Sequence, residues 1–182
     1  MKLMVASDVH GSAYYATKII EAFKHEQADY LLLLGDLLYH GPRNPLPEDY
    51  NPQEVAAAFN SMKEKIIAIR GNCDSEVDQM MLEFPLMAGY NMLPLATRKV
   101  MASHGHLYHE GNLPASLAPK DAFIFGHIHV PVLKQVDDIY VLNPGSVSLP
   151  KENHPNTYGI LTTDEFIVKT FDYQEYKRLN FE

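Results

Sequence analysis

Five short apolar runs in this chain each close on a side chain able to hold a metal ion. Asp8 and His10 stand in Ser-Asp-Val-His, Asp36 in Leu-Gly-Asp and Asn72 in Arg-Gly-Asn-Cys-Asp. His104 stands in Ser-His-Gly-His, and His127 and His129 in Gly-His-Ile-His. An apolar run that stops at glycine and a polar residue reads as a buried strand entering a tight turn. In open α/β sheets, ligands bind beyond the carboxyl ends of the strands. Clusters far apart in sequence can therefore converge at one place in the fold.

The first half of the chain alternates strand and helix. A strand is expected over 2–7, then a helix over 13–24 capped by Ser12, with Tyr15, Ile19, Ile20 and Phe23 on one face. Residues 30–34 read as a second strand. The stretch 39–52 is rich in Pro, Asn, Gly and His and reads as a long loop, of a length that is often functional. Pro52 opens a helix to about residue 63. A third strand follows over 66–69 and a short helix over 75–83. Further strands are expected at 99–103, 122–125, 132–136, 139–142, 159–162 and 166–171, with Asp137-Asp138 and Thr163-Asp164 as hairpin turns. That predicts a mainly antiparallel second half. Two packed sheets with helices outside satisfy both halves. The expected fold class is α/β in the broad α+β sense: a two-sheet β-sandwich flanked by helices, with 1–182 as one domain.

The 182 residues, 46% of them hydrophobic, suffice for one sizeable core. No apolar run approaches the ~18 residues of a membrane span. Asp8 falls where the apolar centre of a signal peptide would lie, so no export signal is read. A single cysteine excludes an internal disulfide and fits a reducing compartment, so a cytoplasmic protein with no membrane partner is expected. The net charge of −8, with no basic patch, argues against long nucleic acid as substrate. An anionic substrate must instead be drawn in by bound cations. Homo-oligomerisation stays open.

The seven donors comprise carboxylate, imidazole and one amide oxygen, with no thiolate. Such a set suits Mn²⁺, Fe or Zn²⁺ and implies hydrolysis at phosphorus or at a carbonyl. Other residues are candidates for supporting roles. His106, two positions beyond His104, can reach substrate or the partners of the ligands. Cys73 adjoins Asn72, and Asp74 can order its own turn or a nearby imidazole. Arg43 and His40, in the long loop, are candidates for substrate binding, Arg43 as a clamp on a phosphate oxygen. Arg70 reads as a structural ion-pair partner.

In order, Asp-x-His, Gly-Asp, Gly-Asn-x-Asp, His-Gly-His and Gly-His-x-His resemble the signature of the calcineurin-like metallophosphoesterase superfamily, over residues 8–129. His40-Gly41-Pro42-Arg43-Asn44, Gly71-Asn72-Cys73-Asp74 and Asn143-Pro144-Gly145-Ser146-Val147 extend the likeness to the small bacterial YfcE-type phosphodiesterases. The resemblance implies a β-sandwich flanked by helices and two divalent metal ions, Mn²⁺ first, with Fe, Zn²⁺, Ni²⁺ and Co²⁺ as alternatives. It implies that Asp8, His10, Asp36 and His129 hold one ion. Asp36, Asn72, His104 and His127 would hold the other. It further implies hydrolysis of a small-molecule phosphodiester by a hydroxide bridging the ions. Many members carry histidine after the Asn ligand; here Cys73 stands there, a weak hydrogen-bonding group. That difference favours good leaving groups, and diesters over monoester dianions. A phosphomonoesterase or nucleotidase on the same centre is the alternative. A non-catalytic interaction module of the same fold is the more distant one, because all seven ligand positions are filled.

Overall fold

Strands that are apolar at every position need cover on both faces, and this chain provides it with two sheets, a helical layer and a long crossover. The computed structural model describes residues 1–96 and 98–182. The first sheet contains β1 (Leu3–Ala6), β2 (Tyr30–Leu33), β3 (Ile66–Ala68), β9 (Thr157–Leu161), β10 (Glu165–Thr170) and β11 (Glu175–Asn180). Its order is β11-β10-β9-β1-β2-β3. The second contains β4 (Tyr90–Leu95), β5 (Arg98–Ser103), β6 (Ala122–Ile124), β7 (Pro131–Val136) and β8 (Ile139–Pro144), in the order β4-β5-β6-β8-β7. The helices are α1 (Ala13–Glu26), α2 (Pro52–Asn60) and α3 (Glu76–Met81).

The alternation of side chains along a strand divides the core. Leu3 and Val5 of β1 and Leu32 of β2 face the second sheet, against Val100, Ala102, Ala122, Ile124 and Leu142. Met4, Ala6, Leu31 and Leu33 face the other way, against Ala16, Ile19, Val55 and Phe59 of the helices. The outer face of the second sheet carries Met101, Phe123, Phe125 and Val141. It is covered by Tyr108, Leu113 and Leu117 of the segment joining β5 to β6. No helix among the described residues is long and apolar enough to cross a membrane.

The expected caps form. Ser12 Oγ accepts the Tyr15 N–H at 3.2 Å, and Pro52 begins α2. The helix α2 stops at Asn60, earlier than its apolar pattern suggests. The Asn60 side chain instead donates to Met81 O at 2.9 Å and accepts from Glu83 N at 2.8 Å, tying α2 to the end of α3. Asp137 and Asp138 form the two-residue turn between β7 and β8, both with positive φ (48° and 62°).

The second half is mainly antiparallel, as expected, with β4–β5, β7–β8, β9–β10 and β10–β11 all paired so. Its centre differs: β5 and β6 pair in parallel, as do β6 and β8. The first sheet pairs β1, β2 and β3 in parallel as well. Each sheet therefore holds a parallel core, and the clusters follow the carboxyl ends of β1, β2, β3, β5 and β6.

Candidate metal centre

The turns after those five strands bring the seven candidate ligands together. Asp8 and His10 follow β1, Asp36 follows β2, Asn72 follows β3, His104 follows β5, and His127 and His129 follow β6. Five of the seven hold left-handed backbone: Asp8 (φ 59°), His10 (51°), Asp36 (55°), His127 (67°) and His129 (62°). Each such residue costs on the order of 1 kcal/mol or more, and such strain concentrates at functional sites. The neighbouring glycines make the close approach possible. A Cβ on Gly71 would collide with the Asp36 carboxylate, and one on Gly126 with the Ser7 hydroxyl.

The tautomers follow from the hydrogen bonds. His10 Nδ1 faces Tyr39 O at 2.9 Å, His104 Nδ1 faces Leu34 O at 2.7 Å, and His129 Nδ1 faces Leu149 O at 2.6 Å. A carbonyl oxygen only accepts, so each Nδ1 donates and, in the neutral ring, each Nε2 turns a lone pair inward. His10 Nε2 and His129 Nε2 lie 3.2 Å apart. His127 Nδ1 and His104 Nε2 lie 3.3 Å apart, and Asn72 Oδ1 is 3.1 Å from His104 Nε2. Asp36 Oδ2 stands between the two groups, 3.8 Å from His10 Nε2 and 3.4 Å from His104 Nε2. Asp8 Oδ1 is buried with no hydrogen-bond partner among the described residues, 3.3 Å from His129 Nε2.

Lone pairs aimed at one another, and a buried carboxylate oxygen left unpaired, are unfavourable unless a cation lies among them. The donor set therefore fits metal ions. The charges agree. Burial opposes ionisation of Asp8, but His129, His104 and His10 outweigh it and hold the carboxyl below its ordinary range. Burial likewise opposes a charge on His104, yet the carboxylates of Asp36 and Asp8 push it up to about 9. His127 is pushed down by burial and by His104. The interior here demands positive charge near Asp36, and divalent ions meet that demand.

A further set of hydrogen bonds fixes the ligands. Asp8 Oδ2 accepts from Ser7 Oγ at 2.6 Å and from the His127 N–H at 3.0 Å. Asp36 Oδ1 accepts the Cys73 N–H at 2.8 Å. Asp74 accepts from Asp36 N and Leu37 N, both at 2.8 Å, and from Gly71 N at 2.7 Å. It thus orders its own turn and, across the sheet, the turn that carries Asp36. Burial pushes its carboxyl up to about 6 against these donors. Cys73 is half-buried, and burial with the nearby Asp36 charge pushes its thiol up to about 12, so it stays protonated at neutral pH.

A cavity of about 780 Å³ opens over the cluster. Arg43, Cys73, Asn72 and Asp36 line it, as do Tyr39 and Lys151. His40 is not among its lining residues; its ring packs edge-on against Tyr39 and Tyr50. His106 lies to the side, its ring 5.5 Å from that of His104. Arg70 donates through Nε to Asp74 O at 3.1 Å and lies 3.9 Å from Glu76.

Sequence reasoning missed two contributors, Lys151 and Ser148, and expected of Ser146 only that it could approach the site beyond the turn Asn143-Pro144-Gly145. Lys151 reaches the cavity from a loop with no motif. Ser146 Oγ and Ser148 Oγ both donate to Asp8 O, at 3.0 and 2.8 Å, and hold its strained turn. The run of small hydroxyl residues after Asn143-Pro144-Gly145 was the available signal.

Residues 1–165 match the family described as the calcineurin-like phosphoesterase superfamily domain. Phosphodiesterase YfcE of Escherichia coli is 49% identical over 168 residues, covering 92% of this chain and 91% of the relative. Phosphodiesterase MJ0936 of Methanocaldococcus jannaschii is 27% identical over 173 residues, covering 91% and 95%. A solved structure of YfcE, described as a phosphoesterase from E. coli, superposes with a TM-score of 0.97 at 44% identity, covering 100% of both chains. On this evidence the chain belongs to the calcineurin-like phosphoesterase superfamily.

Proposed function

We propose that this protein is a dinuclear, Mn²⁺-dependent phosphodiesterase acting on a small diester. The observation that carries the proposal is the Asp36 carboxylate standing between two sets of inward-facing imidazole nitrogens. Asp8, His10, Asp36 and His129 would hold one ion; Asp36, Asn72, His104 and His127 would hold the other. Bound there, the ions would supply a solvent molecule of lowered pKa and charge neutralisation at the phosphoryl oxygens. The 49% identity to a relative named phosphodiesterase supports the substrate class.

The chain's own residues set the preference within that class. Arg43 and Lys151 place two cations in the cavity wall, within reach of a phosphoryl oxygen. Cys73, not an imidazole, faces the cavity beside Asn72. A protonated thiol assists a departing oxygen weakly, so good leaving groups react best. A diester monoanion also needs less clamping than a monoester dianion. The acidic chain suits small substrates rather than long nucleic acid, and its lone cysteine suits a cytoplasmic setting.

A screen of bis-p-nitrophenyl phosphate against p-nitrophenyl phosphate, with Mn²⁺, Mg²⁺, Zn²⁺ or chelator, tests this. The diester is expected to react faster, best with Mn²⁺, and not at all with chelator. Faster monoester cleavage would select the phosphatase alternative, and turnover without metal would remove the proposal.

Cys73→His adds a stronger acid at the same position. It should raise the rate on diesters with poor leaving groups by about tenfold or more, while changing good ones little. The measure is the dependence of kcat/KM on the pKa of the departing phenol. An unchanged slope would mean that proton donation does not set the preference.

A further inference from the structure

Asn72 lines two cavities at once. One is the cleft holding Cys73, Arg43 and Lys151. The other is a groove of about 360 Å³ lined by Arg70, Met87, Gly89, His106 and Leu107 together with Asn72. Its size lies at the low end of the ~300–1,000 Å³ typical of ligand pockets. The hydrolysis proposed above makes no use of it.

A phosphodiester has two carbon arms, and a phosphoryl group seated beside Asn72 has one concavity available for each. Cys73 lines the first, so the departing oxygen belongs on that side. The arm that stays on phosphorus then has the second groove. Its walls suit a flat aromatic group. Met87 is half-buried, Leu107 is 55% exposed, and both offer apolar surface. A thioether makes favourable contacts with aromatic rings. Arg70 is held through Nε by Asp74 O at 3.1 Å, and a guanidinium so fixed is suited to stack on a ring. We infer that this groove is a second subsite, which binds the retained arm of the diester and selects an aromatic one. The inference rests on the phosphodiesterase reading.

The test compares methyl p-nitrophenyl phosphate with phenyl p-nitrophenyl phosphate under Mn²⁺. The leaving group is the same and only the retained arm differs. The readout is the phenyl-to-methyl ratio of kcat/KM, compared between proteins, which cancels intrinsic reactivity. Gly89 can be filled: a Cβ there meets only Leu107 Cδ1, at 4.0 Å. Gly89→Leu should lower the ratio about tenfold, mainly through KM for the phenyl ester. Leu107→Ala removes an exposed apolar wall and should lower it about threefold. If wild-type protein cleaves neither diester, the phosphodiesterase reading fails. If it cleaves both and neither variant changes the ratio, the subsite is overturned while that reading stands. Should Gly89→Leu not fold, Leu107→Ala decides alone, since its side chain is largely solvent-exposed.

Discussion

Asp36→Asn is expected to lower diester turnover by at least ~10³-fold, about 4 kcal/mol of barrier. Asp36 Oδ2 stands between the His10 and His104 nitrogens, nearer to His104 than Asp8 Oδ1 is (3.4 against 4.0 Å), so its charge serves both halves of the site. An amide keeps the shape and can still accept the Cys73 N–H that Asp36 Oδ1 now takes at 2.8 Å. The fold therefore survives, but the metal-free variant should melt somewhat lower than wild type, because burial opposes the Asp36 charge while His104 outweighs it and holds the carboxyl below its ordinary range, so the charge is stabilising. What should vanish is stabilisation by metal. Wild type with Mn²⁺ at a hundredfold its Kd gains about 2.7 kcal/mol. For a chain of this length that is a rise in Tm of about 5–11 °C. The variant should gain less than about 2 °C. Turnover near wild type, or a full metal-induced shift in the variant, would contradict the shared role of Asp36.

The site was more legible than the sheets that build it. Asp8, Asp36, Asn72, His104 and His127 each follow a run that ends in buried apolar residues, and such runs announce themselves in sequence. The strand β11 did not, because Glu175–Asn180 is an edge strand whose exposed and half-buried positions carry Tyr, Lys, Arg and Leu in a mostly polar run. The strand β4 was hidden by Pro94 and by exposed Tyr90 and Met92, which an edge position tolerates. The parallel pairing of β5, β6 and β8 was masked differently. A parallel crossover usually advertises itself by a helix. Here the segment from His104 to Asp121 crosses over without one, covering the sheet with Tyr108, Leu113 and Leu117. Positioning residues were the least legible. Ser146 and Ser148 act on a backbone carbonyl 138 and 140 positions away. Beyond the hydroxyl residues clustered after Asn143-Pro144-Gly145, nothing local in the sequence marks them for that task, and nothing marks Lys151.

Glu26→Ala is expected to destabilise the protein by about 3 kcal/mol at neutral pH, a fall in Tm of about 6–12 °C. Glu26 ends α1 and is buried. Its carboxylate accepts from Tyr158 Oη at 2.9 Å, from Lys2 Nζ at 3.0 Å and from Lys169 Nζ. It thereby ties α1 to the start of β1 and to β9 and β10. Alanine leaves a mostly buried ammonium and a buried phenol without their acceptor. Burial opposes the charge on Glu26, but Lys169, Lys2 and Tyr158 outweigh it and hold the carboxyl below its ordinary value. A depressed folded pKa gives stability that is complete above the unfolded value of ~4.3 and is lost as pH falls through the folded one. The gap between wild type and variant should therefore be widest near pH 7 and shrink below about pH 4. Melts in chelator keep the metal centre out of the comparison. Lys2 precedes β1 while Asp8 follows it, so this network sits at the opposite end of the strand from the metal centre, and diester turnover at 25 °C should be unaffected. A gap under 2 °C at pH 7, or one that persists unchanged in acid, would show that the charge on Glu26 does not hold these elements together.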